Sequence, residues 1–77
     1  MERREFHLHI DGGPLKPVPV RCCGYIDDGT FHIEEVLLEL RLPNGEIRTY
    51  DIISNLKSLV IARLEADAES EIMWEKA

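Results

Sequence analysis

From Ser54 to Trp74 the chain contains neither glycine nor proline, and its apolar residues recur at the spacing of one helical face. Ile53, Leu56, Val60, Leu64, Ala68 and Ile72 stand three or four positions apart, so they form a single stripe. The spacing predicts a helix over residues 54–74. An apolar stripe has to be covered, and only the strand-like segments in the first fifty residues can cover it. That requirement sets the expected class: α+β, with a small antiparallel, meander-like sheet of three to four strands packed against one long C-terminal helix.

The strands are expected near residues 4–11, 18–27, 30–42 and 46–52. In the first, Phe6, Leu8 and Ile10 alternate with Glu5, His7, His9 and Asp11, the pattern of a half-buried strand. Asp11-Gly12-Gly13-Pro14 breaks it, and Pro17 and Pro19 make the next segment a loop running into an edge strand. Gly24 marks a bulge or a close backbone approach. Asp27-Asp28-Gly29-Thr30 is a tight hairpin signal. In the third strand Phe31 and Ile33 share one parity, while Val36, Leu38, Leu40 and Leu42 share the other. The parity changes at Glu34-Glu35, which places a bulge there.

Pro43-Asn44-Gly45 closes the second hairpin, either as a three-residue loop or as a two-residue Asn-Gly turn. The choice decides whether Tyr50 or Ile47 shares a face with Leu40. Ser54 is the expected N-cap of the helix, with Asp51 as the alternative, and Lys57 stands where a capping-box acid would. A helix of about 21 residues spans roughly 31 Å, against about 20 Å for a six-residue strand, so an overhang is expected. Leu59, Ile61, Ala62, Ala66, Met73 and Trp74 fall off the main stripe, and Glu65, Asp67, Glu69 and Glu71 read as a solvated flank. The expected interaction residues are Leu59, Ile72, Met73 and Trp74, serving a homodimer. The competing reading has Trp74 folding over the end of the sheet as a plug.

Charge limits the partners. Nine basic and fifteen acidic residues in 77 give a formal charge of −6, the wrong sign for nucleic acid or an anionic membrane surface. No apolar run reaches the roughly 18 residues that span a bilayer. Met1-Glu2-Arg3-Arg4-Glu5 leads into no hydrophobic segment of the secretory type, so the cytoplasm is the expected location. Cys22 and Cys23 are neighbours, and a bridge between them would be strained, which suits a reducing compartment.

One cluster offers a possible site. His7 and His9 project from one face of their strand, and His32 points outward too, so the three could converge on Zn²⁺ or Cu²⁺ if their strands adjoin. The cysteines lack the spacing of a redox or zinc motif. Asp27-Asp28 and Glu34-Glu35 place their carboxylates on opposite faces, unsuited to shared acid–base work. Gly12-Gly13 precedes no helix that could hold a phosphate. No cofactor and no enzymatic activity are expected. The expected function is a non-enzymatic protein-interaction module acting as a homodimer. Metal binding through His7, His9 and His32 is one alternative. An acidic mimic of nucleic acid is another, against which the scattered basic residues count.

Overall fold

Two hairpins set the topology. In the first, Asp28 takes φ 52° and Gly29 φ 78°, the left-handed pair that a two-residue turn needs to match strand twist. In the second, the Gly45 N–H donates to the Leu42 carbonyl at 2.9 Å and the Leu42 N–H donates to that of Glu46 at 2.7 Å. Gly45 there has φ 87°, so the loop has three residues, Pro43 to Gly45. Asn44 Oδ1 also accepts from the Glu46 N–H at 2.9 Å. Leu40 accordingly faces Arg48 and Leu38 faces Tyr50, which puts Tyr50 on the face of Leu40.

The structure, a computed structural model, describes residues 2–11 and 16–76. The glycine-rich turn expected at 12–14 lies outside them. Four strands, β1 (Glu2–Ile10), β2 (Val18–Asp27), β3 (Thr30–Arg41) and β4 (Ile47–Asp51), form an antiparallel sheet in the order β1-β2-β3-β4. One 3₁₀ turn (Ile53–Asn55) leads into the helix α1 (Ser58–Lys76), completing the α+β meander.

The change of parity in β3 is a bulge. Cys23 pairs with Glu35 but Gly24 pairs with Ile33, leaving Glu34 as the extra residue. The bulge lets both Phe31 and Val36 reach the core, where each is fully buried. It also presses the strands together: a Cβ on Gly24 would lie 2.0 Å from the His32 carbonyl oxygen. Outside the core, Glu34 reaches Arg3 at 2.7 Å.

Phe6, Leu8, Val20, Cys22, Phe31 and Val36 present one face of the sheet to Leu64, Ala68 and Ile72 of α1. Phe6 and Phe31 meet edge to face with centroids 5.0 Å apart. Ile53, Leu56 and Val60, the start of the stripe, pack around this core half-buried.

The helix begins four residues later than Ser54. The Lys57 carbonyl accepts its first bonds, from the N–H groups of Val60 at 3.0 Å and Ile61 at 3.2 Å. Ahead of it, Asp51 Oδ1 accepts from the N–H groups of Ile53 at 3.1 Å and Val36 at 3.3 Å, and the Ile52 N–H donates to the Val36 carbonyl at 2.8 Å. Asp51 thus ties the entry of the 3₁₀ turn to β3, and residues 53–57 stay out of the α-helix.

The first three strands, at nine, ten and twelve residues, exceed the roughly six-residue strand on which the expected overhang rests, and the helix does not outrun them. Nineteen helical residues span about 28 Å, and the nine residues of β1 about 30 Å. The surplus apolar surface therefore lies on the side of α1 facing away from the sheet.

Because β4 is short, the outer edge of β3 from Thr30 to Glu35 has no strand beside it among the described residues. The helix supplies acceptors there. Glu69 Oε1 takes the Phe31 N–H and Glu65 Oε2 takes the Ile33 N–H, each at 3.1 Å. Carboxylates four residues apart on a helix are spaced to meet alternate amides of a strand. Glu65 and Glu69 are thus half-buried acceptors, where a solvated flank was expected.

Candidate interaction face

The outward side of α1 follows from the helical repeat. Leu64, Ala68 and Ile72 fix the direction of the core, and Leu59, Ala62, Ala66, Ser70 and Met73 lie on the opposite side. Leu59 is 81% exposed, Met73 73% and Trp74 79%. Ala62, Ala66 and Ser70 between them are exposed as well. Trp74 is not folded over the end of the sheet. Ile72, expected with the interaction residues, is instead in the core, because its place on the stripe turns it toward the sheet.

The helix therefore carries apolar side chains on two opposed faces. Its acids do different work. On one flank Glu65 and Glu69 reach the edge of β3. Past the end of the core face, Glu75 takes a two-pronged hydrogen bond from Arg4, at 2.6 and 3.0 Å. That bond holds the Glu75 carboxyl below its usual range and raises the Arg4 guanidinium, which also lies over the Phe6 ring at 4.9 Å.

Between the first half of α1 and the end of β1 runs an open groove of about 510 Å³, lined mostly by apolar atoms. Ile10, Leu59, Val60 and Leu64 contribute its apolar surface, while His9, Arg63 and Asp67 stand at its sides. It opens onto the outward face at Leu59. Sequence spacing alone missed it, because it depends on which strand end meets the helix.

The histidines are not brought together. His7 and His9 share the outer face of β1, opposite Arg21 and Pro19. His32 lies opposite Tyr25, which in turn faces Arg3, four residues from His7. Four strand residues amount to about 13 Å, beyond joint ligation of one ion. His32 instead stacks on Tyr25 with centroids 4.9 Å apart, and His7 lies 3.7 Å from Glu5. Among the described residues no three His, Cys, Asp or Glu side chains are grouped to hold a metal.

Cys22 is buried and Cys23 half-buried, each a free thiol. Burial, with the neighbouring Cys23 adding to it, pushes the Cys22 thiol up to about 11. Burial and then Glu5 raise that of Cys23. Both thiols are thus held away from the reactive thiolate form. No helix among the described residues is long and apolar enough to cross a membrane. Comparison with protein families, curated proteins and solved structures finds no match.

Proposed function

We propose that this chain is a non-enzymatic protein-interaction module that acts as a homodimer through the outward face of α1. The observation that carries this reading is the exposure of Leu59, Met73 and Trp74 on a face already freed from the core. Tryptophan and methionine are enriched in the centres of protein interfaces, and an apolar patch of this kind on a small domain favours a partner. The alanines and serine between them leave room for a second helix to come close. A reducing, cytoplasmic setting suits the two free thiols, and the charge of −6 argues against nucleic acid as partner.

Sedimentation equilibrium tests the reading. It should be run near about 0.15 M salt, where repulsion between acidic copies is screened beyond about 8 Å. A dimer at micromolar concentration is expected. A monomer up to the millimolar range would exclude self-association as the function.

A further inference from the structure

We propose that two copies of this chain pair antiparallel across Ala66, each seating its Trp74 in the groove beside Leu59 and Arg63 of the other. The inference rests on the self-association reading above and gives it a geometry.

Seven residues separate Leu59 from Ala66, and seven more separate Ala66 from Met73. The exposed face is therefore symmetric in position about Ala66, as a surface must be to match itself across a two-fold axis. Under such an axis Leu59 meets Met73 of the partner subunit, and Ala62 meets Ser70 of the partner subunit. Small side chains sit at the crossing point and large ones at its ends. That profile suits helices that approach to about 8 Å at one point and diverge from it.

The two-fold also sets the flanks. In an antiparallel pair each flank of a helix lies beside the same flank of its partner. Arg63, Asp67 and Trp74 share one flank, turned from the direction of Leu59 by about 40–80°. Arg63 stands three positions before the centre and Asp67 one after it. Arg63 therefore faces Asp67 of the partner subunit, and this pairing of opposite charges occurs twice.

Trp74 stands eight positions past the centre, which brings it level with Ser58 and Leu59 of the partner subunit. That is the mouth of the 510 Å³ groove, and the groove opens on the same flank. Its apolar lining suits the indole, and Arg63 at its side offers a cation to the ring. Size points the same way. The helix face alone projects only about 28 by 10 Å, roughly 300 Å², whereas a stable interface takes about 800 Å² from each partner. Contact has to spread beyond the helix, and the groove adjoins it.

Two measurements test the geometry. Trp74 is the only tryptophan, so its emission reports its own surroundings. Emission should move to longer wavelength as dilution carries the protein through the dissociation seen by sedimentation. Ala66→Cys, at an exposed helical position, should cross-link to itself under mild oxidation at least tenfold faster than the unsubstituted protein, whose own thiols provide the background. A dimer whose Ala66→Cys variant stays at that background, or whose Trp74 emission is unchanged on dissociation, would overturn this geometry and leave self-association standing. A monomer at every concentration would overturn both.

Discussion

The two faces of α1 carry similar amounts of apolar side chain, yet only one packs against the sheet. Leu64, Ala68 and Ile72 close the core against Phe6, Phe31 and Val36. Leu59, Met73 and Trp74 face solvent from the same helix. Apolar residues at helical spacing therefore identify a helix without saying which of its faces the sheet will take. The acids settle that choice. Glu65, Glu69 and Glu75 reach the sheet only when the Leu64 side is turned inward.

The largest contrast should come from truncating one leucine on each face. Leu64→Ala should cost about 3 kcal/mol in urea unfolding, the usual penalty for a buried leucine. Leu59→Ala, measured at a concentration where the protein is monomeric, should change stability by less than about 0.5 kcal/mol. Comparable losses from the two would erase the distinction between the faces.

The acidic flank comes next. Glu65→Ala should cost about 1–2 kcal/mol, because the Ile33 N–H loses a charged acceptor and nothing in the helix replaces it. Glu65→Gln keeps an oxygen at that position and should cost clearly less. Equal losses for the two variants would mean that a neutral oxygen at that place does not serve and that the charge of the carboxylate carries the whole effect.

On the outward face, Met73→Asp should weaken association about tenfold, roughly 1.4 kcal/mol, and leave monomer unfolding unchanged. Sedimentation and urea titration on the same sample separate the two effects.

The smallest effect should be at Glu75. Its carboxyl titrates below its ordinary range in the folded chain because of Arg4. The stability it adds is complete above the ordinary carboxyl pKa, and is lost as pH falls through the lower folded value. Stability curves of the protein and of Glu75→Gln should therefore differ modestly near pH 7 and converge as the solution is acidified below the ordinary carboxyl range. A gap that widens on acidification would reverse the sign and remove the pairing as its cause.

Much of this architecture was legible because local rules and the global fold agree. Asp28-Gly29 can adopt positive φ cheaply and does, and the phase change at Glu34-Glu35 could only be a bulge if both Phe31 and Val36 were to be buried. The hairpin at Pro43 to Gly45 was legible to within one residue, and its hydrogen bonds select the longer loop. What local rules did not reach was decided by contacts distant in sequence. The helix start moved because Asp51 and Ile52 bond to Val36, some fifteen residues earlier. The first three strands are longer than typical, and the excess apolar surface lies to the side instead of at an end. Of the expected interaction residues, Leu59, Met73 and Trp74 are exposed, while Ile72 shows the limit of counting apolar positions without a phase. The three histidines are kept apart by strand order and register together: β2 lies between β1 and β3, and alternation fixes which face a side chain takes but not its position along the sheet.

The carboxylates on the edge of β3 also bear on how the chain is made. Phe31 precedes Glu69 by 38 residues and Ile33 precedes Glu65 by 32. During synthesis at about 5–20 residues per second, the amides of β3 emerge seconds before the groups that will accept from them. For that interval the strand offers a template to any extended segment nearby, as open sheet edges do. The arrival of α1 ends it, so the same late helix that closes the core also shelters the newborn sheet from other chains.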